Sequence, residues 1–418
     1  MRHTDMHIDP SLPVLVAITG VILFIGLLLQ LIRQPQVIGY LVAGVAIGPY
    51  GFALLTDTAL ATRLGGFGVV LLLFFVGMEV APRQLVSVWR IAVIGTLFQV
   101  GMSVAMVLPL GIWLDWPVER VVLLGFVVSL SSTAVIIKLL RDTGEINQRV
   151  GQDILGILLV QDLIVIPMLI IIGLLGGEKT GLDVFLFQLL GAAVTVAILV
   201  WALSRKSFHL PGASMVKQDL ELQVFAALLV CLGFSLLTGM AHLSTALGAF
   251  AAGILVTAAR ETQWVHHALE PFRVIFVALF FVSIGLLVDI PFIISHAIQV
   301  ISLVAIVLVS NTFLNGLILR MLGYRWRESL YAGALLAQIG EFSFVLAAVG
   351  FTSHIISDIA YQYTIAVIAL SLIVSPFWIQ GARRLLHVSS LVTAPASGIS
   401  EPAVPAKERP QTDSDHQH

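Results

Sequence analysis

The chain has 418 residues, of which 58% are hydrophobic and only 11% are charged, and its mean hydropathy is +1.02. Soluble domains carry roughly 25% charged residues, so this composition excludes a soluble globular protein and indicates a chain that crosses a membrane several times. The formal net charge is -2 and no run of Lys and Arg exceeds two residues, which argues against a nucleic-acid-binding surface. The single cysteine, Cys231, cannot form an internal disulfide.

Runs of mostly apolar residues, long enough to cross a hydrocarbon core of ~30 Å, recur along the chain. They predict an all-α polytopic membrane protein with about thirteen transmembrane helices within residues 1-385, separated by charged, Gly, Pro or turn residues. In chain order the predicted spans are approximately 12-32, 37-52, 64-81, 89-112, 119-140, 150-173, 183-203, 219-239, 243-259, 271-289, 292-319, 327-351 and 359-382. Residues 386-418 are polar and contain several prolines, so we expect a disordered cytoplasmic tail.

The positively charged residues predict the orientation of these spans. With the N-terminus outside, the outer side keeps only Arg2, Arg63, Arg120 and Lys179 of the 22 Lys and Arg residues. Enrichment of Lys and Arg on the cytoplasmic side is the general rule for helical membrane proteins. We therefore expect a multi-pass protein of the cell (inner) membrane, with an external N-terminus and a cytoplasmic C-terminus.

Matching segments indicate an internal repeat. The third span contains LLLFFVGMEV and the tenth VALFFVSIGLLVD, while the second contains GYLVAGVAIGP and the ninth GAFAAGIL. These matches make repeat one, about 12-173, equivalent to repeat two, about 219-382, with 183-203 as a connector. The offset is an odd number of spans, so the two six-helix copies are inverted. Inverted repeats are typical of transporters whose site lies mid-membrane, where interrupted helices meet; the alternative is that the small residues only pack helices together.

Asp162, in the sixth span, is the main candidate site residue. It lies ~18 Å from the start of that span at 1.5 Å per residue, close to the middle of the bilayer. A carboxylate at that depth needs a proton, a cation or another partner, so a proton and a cation can compete for it. Gln161 adds a neutral donor and acceptor, and Pro167 leaves the carbonyl of Leu163 without its helical partner. The alternative is a protonated Asp that only joins helices.

Polar residues midway along the fifth and twelfth spans, which the repeat makes equivalent, extend this candidate site. Hydroxyl groups can satisfy the backbone of an unwound segment, whose carbonyls can replace the hydration shell of an ion. Ordinary helix packing is the alternative for each of them. The residues expected to bind the cation or the proton are Asp162, Gln161, Ser131, Ser132, Thr133 and Glu341. Those expected to have accessory roles are Glu79, Ser129, Gln338, Lys138 and Asp153.

Two aspartates on one span also allow an enzymatic interpretation. Asp153 and Asp162 could act as an intramembrane aspartyl protease. The GxGD signature of such enzymes is missing, and the two carboxylates are ~13 Å apart along one helix, too far to share a catalytic water. We therefore expect a transporter with no enzymatic activity and no cofactor.

Five segments, taken in order, resemble the Kef-type branch (glutathione-gated potassium efflux-like) of the monovalent cation:proton antiporter-2 family over nearly the whole membrane region. They are SLSSTAVIIKLL, ILLVQDLIVIPML, STALGAFAAGIL, EPFRVIFVALFFVSIGLLVD and IGEFSFVLA. The resemblance implies a sodium/proton-antiporter-like fold in which the fifth and twelfth helices are discontinuous and cross. It also implies a homodimer with a dimerisation domain and a mobile core domain, and elevator-like alternating access. Gln161 and Asp162 match the Gln-Asp pair of Kef-like members, which is associated with potassium.

The sequence departs from this family pattern in two respects. The tenth span lacks the lysine of electrogenic relatives, so electroneutral one-for-one exchange is implied. Kef systems continue into a nucleotide-binding regulatory domain, whereas a short polar tail follows the last span here, so gating by glutathione or NAD would require a separate regulatory subunit. The sequence thus predicts an antiporter that exchanges K+ for H+ at Asp162. A Na+/H+ antiporter and a gated, channel-like potassium conduit remain as alternatives.

Overall fold

A computed structural model describes residues 11–31, 34–79, 82–146, 148–176, 219–241, 243–258 and 263–387, with isolated positions between 186 and 198. At some helical positions, including 58–62, 79 and 82–91, it describes the backbone only. The predicted seventh span lies mostly outside the described residues, and the predicted tail lies outside them from residue 388 onward.

Regular structure in these ranges is helical apart from one isolated β-bridge. In chain order the helices are α1 (Ser11–Leu31), α2 (Gln36–Ile47), α3 (Thr58–Glu79), α4 (Pro82–Trp113), α5 (Val118–Ser129), α6 (Thr133–Asp142), α7 (Arg149–Leu175), α8 (Leu220–Met240), α9 (Thr245–Ala258), α10 (Gln263–Leu287), α11 (Ile290–Ser295), α12 (Ala297–Met321), α13 (Trp326–Leu335), α14 (Phe342–Thr352) and α15 (Asp358–Leu385).

The apolar character of these helices confirms a multi-pass membrane protein. Within the described residues, 5 helical stretches are each long and apolar enough to cross a membrane, and shorter apolar helices accompany them. The long stretches are Ala92–Trp113, Arg149–Leu175, Leu220–Met240, Ala297–Met321 and Asp358–Leu385. The predicted fifth and twelfth spans are each divided into two half-helices, α5 with α6 and α13 with α14.

Several predicted boundaries differ from the structure. The tenth span was expected to begin at Pro271, but α10 begins at Gln263 and continues through this proline, which removes one hydrogen-bond donor without ending the helix. The eleventh span was expected to be continuous, but it is divided at His296. The carboxylate of Asp289 accepts a hydrogen bond from the amide of Phe292 at 2.8 Å, and this cap starts the separate short helix α11.

The helices pack as two groups. The first bundle contains α1 to α3 and α8 to α10, and the second bundle contains α4 to α7 and α11 to α15. Each bundle takes helices from both halves of the chain. The bundles meet where α9 approaches α7 and where α2 approaches α15, and one buried hydrophobic cluster includes residues of both.

Reciprocal glycine contacts hold the first bundle together. Gly44 on α2 faces Gly285 on α10, and Gly77 on α3 faces Gly253 on α9. A Cβ added to any of these glycines would collide with the backbone of the facing helix, so the small residues permit close helix packing. The second span therefore packs on the tenth as the ninth packs on the third, which is the arrangement that inverted repeats produce. This confirms the predicted fold class; the exact repeat boundaries stay predictions.

Candidate functional site

The fifth span breaks at its run of serines. After α5 ends at Ser129, Leu130 is extended, with φ -84 and ψ 135, and α6 begins at Thr133. The hydroxyl of Ser132 caps α6 by accepting a hydrogen bond from the amide of Val135 at 3.5 Å. The hydroxyl of serine can form hydrogen bonds with nearby backbone groups, so serine is more common at the first position of a helix than in its interior.

The two broken spans cross at these interruptions, as predicted. Ser131 and Ile339 form an antiparallel bridge, and the amide of Gly340 donates a hydrogen bond to the carbonyl of Leu130 at 2.8 Å. A Cβ on Gly340 would lie 2.6 Å from the carbonyl oxygen of Ser131. The crossing therefore requires glycine at this position.

Carbonyl groups at the end of α5 have no partner within their own helix and are satisfied from elsewhere. The carbonyl of Val127 accepts from the hydroxyl of Ser343 at 2.7 Å. The side-chain nitrogen of Asn311 donates hydrogen bonds both to the carbonyl of Val128 at 2.9 Å and to the carbonyl of Ala337 at 3.1 Å. A single side chain on α12 thus joins the two breaks.

A second amide pair holds the break of the fifth span. The side-chain oxygen of Gln161 accepts from the amide of Ser131 at 3.1 Å, and its nitrogen donates to the carbonyl of Ser129 at 3.3 Å. The same nitrogen donates to the side-chain oxygen of Gln99 at 2.7 Å, and Gln99 in turn donates to Ser129 at 2.9 Å. Both ends of the Gln161 amide are therefore engaged with the broken backbone and with α4.

Asp162 faces the start of α6. The hydroxyl of Thr133, the first residue of that helix, lies 3.2 Å from one carboxylate oxygen of Asp162 and 3.1 Å from the other. Asp162 is half-buried. The N-terminus of a helix carries a partial positive charge that stabilises a nearby anion, so this position favours a carboxylate.

Glu341 lies at the corresponding place in the second break. It directly precedes α14, and its carboxylate accepts from the hydroxyl of Ser132 at 2.7 Å. Its exposure is only 8%. Glu341 therefore lies beside the N-termini of two half-helices: it directly precedes α14, and Ser132 links it to α6. A negative charge at such a position is stabilised by both helix dipoles.

Two serines and one glutamine among the predicted site residues also lie at the breaks. The hydroxyl of Ser131 donates to the carbonyl of Leu336 at 2.7 Å, and that of Ser129 donates within its own helix to Phe126 at 2.8 Å. Gln338 is fully buried, and within the described structure neither polar atom of its amide has a hydrogen-bond partner. The amide of Gln338 therefore has both a donor and an acceptor available beside the crossing.

Lys138 and Asp153, two further accessory candidates, make contacts outside the two breaks. The ammonium of Lys138 donates to the backbone carbonyl of Gln34 at 2.5 Å, which links α6 of the second bundle to the α1–α2 connection of the first. Asp153 is buried and accepts from the hydroxyl of Tyr324. Burial is also the main reason why the pKa of Tyr324, in the turn before α13, is raised. Glu79 is the last residue of α3, and the structure describes its backbone but not its side chain.

Gln99 and Asn311 are two of the polar residues at the crossing that the sequence analysis missed. Each is a neutral amide inside a predicted span and is 1% exposed. Burial of a neutral amide costs less than burial of a charge, so such residues stand out less than Asp162 does. The usable signal was a glutamine or an asparagine within an otherwise apolar run, in GTLFQVGM and in LVSNTFLNG.

Known proteins share both the sequence pattern and this architecture. The model of the family described as sodium/hydrogen exchanger, transmembrane, matches residues 18–382. The chain is 34% identical over 385 residues to the iron transporter MagA of Paramagnetospirillum magneticum, covering 92% of this chain and 88% of that protein.

Two further relatives are named as antiporters. K(+) efflux antiporter 5 of Arabidopsis thaliana is 31% identical over 357 residues, covering 84% of this chain and 63% of the relative. The putative cation/proton antiporter YbaL of Escherichia coli is 29% identical over 379 residues, covering 88% of this chain and 68% of the relative.

Among solved structures, the fold is similar to the sodium proton antiporter MjNhaP1 of Methanocaldococcus jannaschii. The TM-score is 0.63, and the alignment covers 90% of this chain and 99% of that one at 16% identity. At this level of identity the likeness supports the fold alone.

Proposed function

Because the chain belongs to the sodium/hydrogen exchanger transmembrane family and is a cation:proton antiporter, we propose that it exchanges potassium ions for protons at Asp162. The observation that carries this proposal is the position of the Asp162 carboxylate, half-buried in α7 and 3.1 to 3.2 Å from the hydroxyl that starts α6. A carboxylate in this setting is stabilised by one positive partner at a time, so binding of a cation displaces the proton. The function is transport and not catalysis.

The cation site comprises Asp162, the hydroxyl of Thr133 and carbonyl oxygens of the broken segments. Ser131, Ser132, Gln161 and Glu341 hold those segments and complete the polar surroundings. Oxygen donors of this kind can replace the hydration shell of an alkali metal ion. Movement of the second bundle against the first exposes the site alternately to the two sides of the membrane.

Potassium is preferred over sodium in this proposal. The Gln161–Asp162 pair and the similarity to named K+ efflux antiporters support this choice. Sodium is the main alternative, and iron is a further one because of the named iron transporter among the relatives. Transport of each ion can be compared directly in one assay.

The proposed setting is the cell (inner) membrane, with the N-terminus outside and the C-terminus in the cytoplasm. The distribution of Lys and Arg supports this orientation. By the resemblance to Kef-type proteins, the working form is a homodimer, and a separate regulatory subunit is a further partner to be sought.

Purified protein in liposomes tests the proposed exchange. An imposed K+ gradient should move protons across the membrane, measured with an internal pH dye, at zero membrane potential and without net current. Asp162→Asn should abolish this flux, whereas Asp153→Asn, on the same helix but bound to Tyr324, should retain it. Current that needs no protons would support a channel-like conduit, and larger proton movement with Na+ or Fe2+ would replace potassium as the substrate.

A further inference from the structure

Gln99 lies behind the candidate site. It is 1% exposed on α4, a helix that supplies none of the predicted site residues. Its side-chain oxygen accepts from Gln161 at 2.7 Å, and its nitrogen donates to the carbonyl of Ser129 at 2.9 Å. Gln99 therefore contacts the residue beside Asp162 and the broken backbone at the same time.

These contacts allow only one orientation of the Gln161 amide. In the observed orientation, the oxygen faces the N–H of Ser131 and the nitrogen faces two oxygens, those of Gln99 and Ser129. Rotation of the amide by half a turn would place oxygen against oxygen and N–H against N–H. Unpaired polar groups are costly in a buried site, so Gln99, together with the backbone of Ser129 and Ser131, holds the Gln161 amide in the observed orientation.

The orientation of Gln161 matters because this side chain holds the segment that leads into α6. Gln161 binds both Ser129 and Ser131, which flank the extended residue of the break. Thr133, the residue that contacts both oxygens of Asp162, begins the next half-helix. If the break of the fifth span moves, the hydroxyl of Thr133 moves with it relative to the carboxylate of Asp162.

We propose that Gln99 is a positioning residue for the cation site. It holds the amide of Gln161 in place, and Gln161 in turn holds the break of the fifth span. The position of this break determines where Thr133 lies relative to Asp162. This inference rests on the proposed cation:proton exchange at Asp162. Gln99 does not contact the cation itself. Its effect is therefore on the affinity for the cation and only weakly on the maximal rate of exchange.

Gln99→Met tests this role because methionine keeps the length of the side chain while removing the amide. The matched control is Ser103→Ala on the same helix: Ser103 is fully buried, and its hydroxyl has no hydrogen-bond partner within the described structure. In liposomes, Gln99→Met should raise the KM for K+ roughly tenfold and leave the maximal rate within about twofold, as expected for loss of the two hydrogen bonds by which Gln99 holds Gln161 and the break. Ser103→Ala should change neither value.

A double-mutant cycle separates positioning from a merely structural role. If Gln99 acts mainly through Gln161, Gln99→Met should raise the KM much less in the Gln161→Leu background than in the wild type, the remainder coming from the direct contact of Gln99 with the carbonyl of Ser129. Additive increases in KM would overturn the proposal, as would a Gln99→Met variant with unchanged KM. If Gln99→Met does not fold, Gln99→Leu takes its place in the same cycle.

Binding can also be measured without transport. K+ that binds the folded protein raises its thermal unfolding temperature, and the K+ concentration needed for a given rise in that temperature should be roughly tenfold higher in Gln99→Met than in the wild type. An unchanged concentration would contradict the positioning role. Failure of wild-type protein to exchange K+ for protons would instead refute the proposed function, so the two failures are distinguishable.

Discussion

The amide of Gly340 donates a hydrogen bond to the carbonyl of Leu130 at 2.8 Å, so two helices from opposite halves of the chain are joined through their backbones where each is broken. This contact holds the starts of two half-helices, α6 and α14, close together. Asp162 and Glu341 each lie beside one of those starts. The crossing thus places two carboxylates within one polar region of the membrane domain.

The first prediction concerns the crossing itself. Gly340→Ala places a Cβ 2.6 Å from the carbonyl oxygen of Ser131, and backbone cannot move aside as a flexible side chain can. We expect a loss of about 1–3 kcal/mol in stability, as for other overpacked sites, and slower exchange. The control is Gly101→Ala on α4, where a Cβ meets nothing within 4 Å. Thermal unfolding in detergent measures the difference, and equal unfolding temperatures would contradict the tight crossing.

A second prediction distinguishes the two carboxylates. Glu341→Gln keeps an oxygen that accepts from Ser132 but removes the charge that offsets two helix dipoles, at a cost of about 0.3–1 kcal/mol per helix end. We expect reduced stability and reduced, but measurable, cation:proton exchange. Asp162→Asn should abolish exchange. Complete loss of exchange in Glu341→Gln, in protein with normal unfolding, would instead make Glu341 an obligatory ion-binding group.

Asn311 gives a third prediction. Asn311→Ala leaves two buried carbonyls, of Val128 and Ala337, without the donor that now joins them, and each unsatisfied group costs about 1–3 kcal/mol. The neighbouring Ser310→Ala removes only a hydrogen bond to Val307 on the same helix. The unfolding temperature should therefore fall by several degrees more in Asn311→Ala than in Ser310→Ala. Equal losses would mean that Asn311 does not hold the breaks together.

Competition between proton and cation at Asp162 gives a fourth prediction. Below the pH at which the carboxylate titrates, the KM for K+ should rise roughly tenfold for each unit by which the pH is lowered, because one proton must leave for each cation bound. Above that pH the KM should become constant. Initial rates in liposomes at several pH values measure this slope. A KM that does not change with pH would exclude a shared site for the two ions.

Much of the fold was predictable from the sequence because the membrane restricts the choices. Backbone groups cannot stay unpaired in lipid, so apolar runs become helices and the serine run of the fifth span becomes a supported break. The place of Asp162 within an unbroken helix, α7, could be predicted from the sequence, and its depth in the membrane stays a prediction. The hydrogen-bond partners of Gln161 could not be predicted from the sequence. One of them is Gln99, which is distant in sequence, and the others are backbone groups whose directions are set only when the fifth span breaks. The division of the eleventh span at His296 likewise depends on a local cap, formed by Asp289, that apolarity alone does not predict.

Proton release on cation binding tests the central claim most directly. Purified protein in weakly buffered detergent solution, near the pH at which Asp162 titrates, should release protons when K+ is added, and the release should saturate with K+ at no more than about one proton per site, since one carboxylate exchanges one positive partner. Asp162→Asn should release none, and Asp153→Asn should release as many as the wild type. Undiminished release from Asp162→Asn would show that the cation and the proton do not compete at Asp162, and would contradict exchange at this carboxylate.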